Sequence, residues 1–576
     1  MHFDKNQYTL SHLTATDAFG RTFPVISDYK KDRYVGIFYF LCHTGEWPII
    51  RNMTELLETD FDEIFDLNSK KHPNWCQFYF NEPLYGYYAS RDPWVMRKHI
   101  EQFIMAGIDY LAMDFTNNRI FEEELFQLMD LLLEYRAAGW NAPRVTFYVN
   151  LNAEVITRRL YEIVYMNPKY KDIVFYEDSE KPMLISVPHE LSQEMKDFFD
   201  VRISQFHRDR YPVDELFYYM EATRPPMKTK PDVMNVSIAQ MSGGAFGYAF
   251  RGLEGKNRDS FGRGWSSASP KNHDALAIER GDNFQEEWDY TIRQDPKHIF
   301  VTGWNEWWVA KIPYYKEDGS FMYDVAIFWD TFNTEYSRDA EMTKNPGYKD
   351  GKEGYGDNYY LQMASNIRKY KGLPADQESL APISIDIHGD LSQWAAVQAC
   401  YVAFSTKKTA RDCGGNAQNV HYIQAAPENF VKEVKVAHDQ ENIYFLIETE
   451  QAITEPKPNQ TKWMNLFIGV EGIHQPIWET FHYVLNRHPG ENGGTSLEHF
   501  TQNGTYQLET CGAVAYCVAG KTMQIVIPKR SLGISGDHFS LNFKVADSIE
   551  KEDDILDYYV SGESFPMGRM AFVYKI

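Results

Sequence analysis

Short apolar runs alternate with helical patterns over the first part of the chain. Residues 34–41 (YVGIFYFL), 109–115 (DYLAMDF), 144–150 (RVTFYVN), 183–187 (MLISV), 201–206 (VRISQF), 235–240 (NVSIAQ) and 298–302 (HIFVT) read as strands. Between them, residues 92–106, 122–138, 153–165, 192–199 and 283–294 place apolar side chains every three to four positions, the spacing of an amphipathic helix. The first of these helices starts near Pro93 and stops at Gly107. Strand–helix alternation of this kind gives parallel β/α units. Seven or eight of them predict a (β/α)8 TIM barrel with long loops. An open doubly wound sheet is the alternative, but no GxGxxG or phosphate-loop pattern follows any of these strands.

The pattern changes after residues 370–378 (YKGLPADQE), a polar segment with Gly and Pro. Alternating runs take over at 443–447, 463–468, 506–508, 523–527 and 539–545, separated by turn residues. They predict an all-β sandwich. The expected organisation is an N-terminal extension at 1–30 packed on the barrel, the barrel at 31–372, and the sandwich at 381–576.

Length agrees with more than one core, since 576 residues exceed what a single core supports. Charge narrows the partners. With 81 acidic and 58 basic residues the net charge is −23, so no nucleic acid partner is expected. No apolar run is long enough to span a membrane. Residues 1–5 lack a basic region followed by an apolar one, and a secreted or periplasmic protein whose signal has been removed is the expectation. Cys42, Cys76, Cys400, Cys413, Cys511 and Cys517 form no CxxC or Cys/His spacing, which disfavours zinc. Cys400 with Cys413 and Cys511 with Cys517 are candidate pairs, with free thiols as the alternative. No cofactor is expected. Asp386 and Asp390 offer oxygens that suit a structural Ca²⁺, or they simply form turns.

In a β/α barrel the active site lies at the C-terminal ends of the strands, so polar residues that end apolar runs carry the chemistry. The run 298–302 leads into Gly303, Trp304, Asn305, Glu306, Trp307 and Trp308. Here an acid stands beside an amide among three tryptophans. The carboxyl group can transfer a proton or attack, the amide can bind a hydroxyl, and indoles stack on sugar faces. Other strands end in Asp114 (with Asn117 beyond it), Asn150, Gln205 (with His207 beyond it) and Gln240. Asp114 and Glu306 are the expected pair of catalytic carboxyl groups, with Glu221 a third candidate unless it pairs with Arg224. Glu46 and Glu82 are weaker options. His43 and His273 can join the site. The loop 251–265 carries Arg258 and Arg263, which suit an acidic or sulfated sugar if they are not held in internal ion pairs.

Several of these segments resemble a known family. Residues 34–41, 88–94 (YASRDPW), 106–114 (AGIDYLAMD) and 303–307 (GWNEW) are similar to motifs of the endo-α-mannosidase-like glycoside hydrolases of family 99 and the related family 71 type. The resemblance implies a barrel fold. It also implies that the motif glutamate, here Glu306, acts on a sugar 2-hydroxyl and that a second glutamate three residues later is the acid/base. That second position is Val309 in this sequence, which cannot transfer a proton. The C-terminal segments 385–394 (IDIHGDLSQW), 543–547 (FKVAD) and 557–562 (DYYVSG) resemble carbohydrate-binding module family 9, whose members bind sugar ends or brace a catalytic domain. The expected function is hydrolysis of a glycosidic bond in a polysaccharide or oligosaccharide. A non-catalytic glycan-binding barrel and a polysaccharide lyase are the alternatives.

Overall fold

The computed structural model describes residues 4–220, 223–241, 245–250, 260–347, 354–374, 380–457, 460–490 and 493–576. Eight parallel strands form the first body: β1 (Tyr34–Tyr39), β2 (Tyr110–Phe115), β3 (Arg144–Val149), β4 (Met183–Ser186), β5 (Asp200–Ser204), β6 (Leu216–Phe217), β7 (Val233–Ser237) and β8 (His298–Trp304). Their order in the sheet is β6-β5-β4-β3-β2-β1-β8-β7, which is sequence order around a circle. The sheet is thus a (β/α)8-type barrel, closed by ladder hydrogen bonds except at β6–β7. β6, only two residues long, is too short for its pattern to be legible in the sequence.

Polar side chains staple that seam. Asn235 of β7 donates through Nδ2 to the carbonyls of Tyr219 (3.0 Å) and Phe300 (3.1 Å). On the other side of β6, Gln205, which follows β5, accepts at Oε1 from the amides of Tyr219 (2.8 Å) and Met220 (2.9 Å). Buried backbone groups left without a ladder partner find side-chain partners instead. The barrel interior is aromatic, with Phe38, Tyr110, Tyr148, Phe217 and Phe300 almost wholly buried.

The second body is a large antiparallel sheet folded on itself as a β-sandwich. Phe445, on strand Asn442–Thr449, meets Phe543, on strand Ser540–Asp547, at 5.3 Å between ring centroids. The two strands are not neighbours in the sheet, so the contact crosses the sandwich core. The N-terminal extension joins this body as well as the barrel. Leu13–Thr14 pairs with Phe572 and Ala571 at the sheet edge, while Arg368 of the barrel donates to the Leu13 carbonyl at 2.7 Å. All six cysteines are free thiols. The sequence-based boundary falls partly on residues 375–379, outside the described residues. No helix among the described residues is long and apolar enough to cross a membrane.

A hairpin of the second body, Arg411–Gly414 with His421–Gln424, lies on the barrel. Arg411 Nε donates to Asp92 at 2.7 Å, and both side chains are buried. Asp92 in turn caps helix Pro93–Ala106 by accepting from the amides of Trp94 and Val95. The Arg411 guanidinium also stacks on Tyr422 at 4.3 Å. Removing one partner of a buried ion pair leaves the other charge uncompensated. Arg411→Ala should therefore destabilise the protein by about 3 kcal/mol or more. Thermal unfolding followed by circular dichroism should show a lowered midpoint for this variant.

Candidate active site

A cleft of about 470 Å³ opens at the C-terminal ends of β8, β1 and β2. Phe40, Cys42, His43, Thr44, Glu46 and Trp47 reach it from the loop after β1. Asp114 and the following Asn117, Arg119 and Phe121 line its β2 side. Glu306, Trp308, Val309, Ala310, Ile312, Trp329 and Asp330 follow β8, and Gln77 comes from the strand Gln77–Tyr79 that pairs with Trp308–Ala310.

The turn after β8 decides which side chains face the cleft. The β8–β1 register slips between Val301 and Trp304, and Gly303 takes φ 90°. A Cβ there would sit 2.0 Å from the Arg338 carbonyl oxygen, so only glycine fits. Asn305 follows at φ 63°, a conformation asparagine tolerates better than most residues. Its side chain pairs with the Phe40 backbone, accepting from the amide and donating to the carbonyl, both at 2.9 Å. Its own amide donates to Asp339 Oδ1 at 3.0 Å. Two left-handed residues break the strand alternation, so Glu306 and Trp308 face the cleft while Trp304 and Trp307 turn into the core.

Glu306 keeps 13 % side-chain exposure, all the access a cleft residue needs. Burial pushes its carboxyl group well above the usual range. Arg338 at 3.8 Å opposes this, while the charges of Asp330, Asp114 and Asp339 add to it. Arg338 is itself drawn to Asp330 at 2.6 Å, so its charge is shared between two acids. Burial also raises Asp114, but Thr116 donates to it through both its amide (3.0 Å) and its hydroxyl (2.7 Å), which favours the ionised form. Burial thus raises both acids of the cleft, and the two Thr116 donors oppose that shift at Asp114.

His43 lines the cleft without being free for proton transfer. Its Nδ1 accepts from the Trp308 indole N–H at 2.8 Å, and its Nε2 donates to the Asn305 carbonyl at 2.7 Å. The ring lies on Trp307 at 4.1 Å between centroids. Burial lowers its pKa to about 3. His43 is a neutral latch between the turn after β8 and the indole that walls the cleft.

The structure brings together Glu306, Asp114, Trp308, Asn117 and His43 in one cleft. It places the other expected residues elsewhere, for physical reasons. Trp304 and Trp307 are fully buried, so no sugar reaches their faces. Asn305 spends its amide on Phe40, and Gln205 spends its oxygen on the backbone amides that follow β6. Gln240 is buried and donates to Glu287 at 2.8 Å. Asn150 accepts from His207 at 3.2 Å and does not line the cleft. Arg263 is buried between Tyr355 and Tyr359, 4.4 Å from each ring, and donates to the Asp339 carbonyl. It braces the core, where its charge acts on Asp339. His273 pairs with Glu335. Glu82 pairs with Lys344 at 3.2 Å, and Glu46 faces Arg119 at 3.6 Å at the mouth of the cleft. Glu221 and Arg258 lie outside the described residues, and Arg224 pairs with Glu286 and Glu287.

Sequence reasoning missed Trp329, Asp330 and Arg338. All three sit in the irregular segment after β8. The one available signal is residues 326–330 (AIFWD), an apolar run that ends in an acid as the strands do. With Trp47 and Trp308, Trp329 supplies the half-buried indoles of the cleft.

The second body supports one wall. Asn416 accepts from the Gly45 amide at 3.1 Å, and Gln418 donates to the Trp47 carbonyl at 2.8 Å. Both contacts hold the loop that carries Glu46 and Trp47 to the cleft. Nitrogen-15 NMR of the imidazoles should show His43 as the neutral Nε2–H tautomer at pH 5, where an ordinary histidine is charged. A protonated His43 at that pH would contradict the latch.

No family model and no curated protein matches the chain. Among solved structures, the chain is similar to the GH99 endo-alpha-mannosidase from Bacteroides thetaiotaomicron at 14 % identity, over 59 % of this chain and 98 % of that one, with a TM-score of 0.34. A second structure of that enzyme, in complex with BIS-TRIS-propane, is similar at 13 % identity over 60 % and 98 % of the two chains, with a TM-score of 0.32.

Proposed function

We propose that the protein is a glycoside hydrolase acting on a polysaccharide or oligosaccharide, and that it works outside the cytoplasm, where such polymers are met. One observation carries this reading: the carboxyl groups of Glu306 and Asp114 share a cleft with Trp47, Trp308 and Trp329. Glycosidic cleavage needs one acid to protonate the leaving oxygen and one carboxylate to act as base or nucleophile. Glu306, the more strongly raised of the two, is the acid. Asp114, held toward ionisation by Thr116, is the carboxylate. The indoles offer flat apolar faces to a pyranose ring, and Asn117 and Arg119 offer donors to its hydroxyls.

The second reading is a glycan-binding protein without turnover. It is favoured by Val309, an apolar residue of the cleft wall that stands where the family resemblance calls for a glutamate. A lyase acting through the arginine loop has lost its support at Arg263, whose guanidinium is buried in the core.

Release of reducing ends from plant, fungal, algal and host polysaccharides separates the two main readings. Wild type should release them, and Glu306→Gln should be slower by about a hundredfold or more with its fold intact. Glycan binding on the same panel without release by wild type would favour the second reading.

The pH profile tests the roles. An acid works while protonated, so activity should fall as pH rises through the Glu306 pKa, well above the ordinary glutamate value of 4.5. Asp330→Asn removes a neighbouring charge and frees Arg338 for Glu306, and both changes favour the carboxylate. The alkaline limb should move to lower pH by about one unit. An unmoved limb would remove Glu306 from the acid role.

A further inference from the structure

A second cluster of ligand atoms lies behind the cleft wall. Asp60 precedes the short helix Phe61–Phe65, Glu63 lies within it, and His72 follows in the loop that leads to strand Gln77–Tyr79. Each offers one ligand atom, and the three atoms all lie within 4.8 Å of one another. Acidic side chains this close are common at surfaces, and His72 is what sets this group apart. It is 4 % exposed, yet neither ring nitrogen has a hydrogen-bond partner. A buried imidazole with both nitrogens unsatisfied is costly and demands an explanation.

The ring is held where it is by other means. The His72 amide donates to Ser69 Oγ at 3.0 Å, its carbonyl accepts from Lys311 Nζ at 2.6 Å, and the ring packs against Phe78. These contacts aim Nε2 at Asp60 Oδ2, 3.7 Å away. At that separation there is no direct hydrogen bond, but a cation fits between them with little movement.

We propose that Asp60, Glu63 and His72 form a binding site for a first-row divalent cation, with Zn²⁺ the best fit. One nitrogen and two carboxylate oxygens are ligands that zinc accepts, at roughly 2.0–2.2 Å each. Ca²⁺ and Mg²⁺ prefer oxygen alone, so the imidazole selects against them. Glu63 is exposed and makes the remaining adjustment. Lys71 holds Asp60 Oδ1 at 2.5 Å, but its side chain is 58 % exposed and swings into solvent as the cation enters.

The site has a structural use. It ties helix Phe61–Phe65 to the loop before Gln77–Tyr79, the strand that pairs with Trp308–Ala310 in the cleft wall. Lys311 joins the same layers, donating to the carbonyls of Asp66 and His72. The bound ion would make that wall more rigid. None of this depends on what the cleft binds or cleaves.

The test uses the full chain after chelation and dialysis. ZnCl2 is titrated into it by calorimetry at pH 7, and thermal unfolding is followed with and without the ion. Wild type should bind one equivalent and unfold at a higher temperature with Zn²⁺ present. Glu63→Gln, an exposed change that leaves the fold intact, should weaken binding by at least about tenfold, and His72→Gln should abolish it. CaCl2 at the same concentration should neither bind nor stabilise. Absence of Zn²⁺ binding by wild type, or wild-type affinity in either variant, would overturn the site. Ca²⁺ binding as tightly as Zn²⁺ would overturn the choice of ion.

Discussion

The turn after β8 is the constraint on which the site depends. Gly303 must approach the Arg338 carbonyl too closely for any side chain, and Asn305 must bridge the Phe40 backbone. Those two demands bend the chain at the end of β8 and lock it to β1. Asp339 and His43 secure the bend from opposite sides, one at the Asn305 amide and the other at its carbonyl. Glu306 and Trp308 face the cleft because everything around them is fixed. A carboxyl group presented from a rigid strand end is worth more to catalysis than one on a free loop, because its position costs nothing to establish when a ligand arrives.

Behind this turn the barrel stores an unusual load of buried acid and imidazole. Glu341 accepts from Tyr88 at 2.9 Å and meets His99 at 2.9 Å, and Tyr39 reaches the other side of that ring at 3.0 Å. Burial raises Asp339 to about 7 and lowers His99, like His43, to about 3. The consequences for stability have opposite signs. The histidines stay neutral in the fold but charge in the unfolded chain below its ordinary value of 6.5, so their term is lost as pH falls from there toward 3. Asp339 stays protonated in the fold, so its term is present below the ordinary 3.8 and is lost as pH rises through about 7. Between those limits the two slopes oppose each other.

The barrel was largely legible because its strands are continuous apolar runs and its helices are amphipathic, and both patterns follow from burial. Glu306 and Asp114 were legible because an acid at the end of such a run has few structural excuses. The indoles were not. Period-two alternation cannot foresee left-handed residues at both Gly303 and Asn305, which turn Trp304 and Trp307 inward, and Trp47 and Trp329 line the cleft from segments with no strand pattern. The polar strand ends were read by one rule, yet they serve two purposes. Gln205 and Gln240 satisfy groups inside the fold, whereas Asp114 and Glu306 face the cleft. Trp329, Asp330 and Arg338 have no periodic context, since an irregular segment shows its partners only when folded. The support that the C-terminal body gives to Gly45 and Trp47 joins residues too far apart in sequence for any local pattern to reveal.

The central claim is that the cleft holds one protonated and one ionised carboxyl group, with the proton on Glu306. Infrared difference spectroscopy of wild type against Glu306→Gln at pH 7, with glutamate side chains carbon-13 labelled, reads that proton directly. A protonated carboxyl band that disappears in the variant is the expected result. A carboxylate band lost in its place would show Glu306 ionised and would contradict its role as the acid.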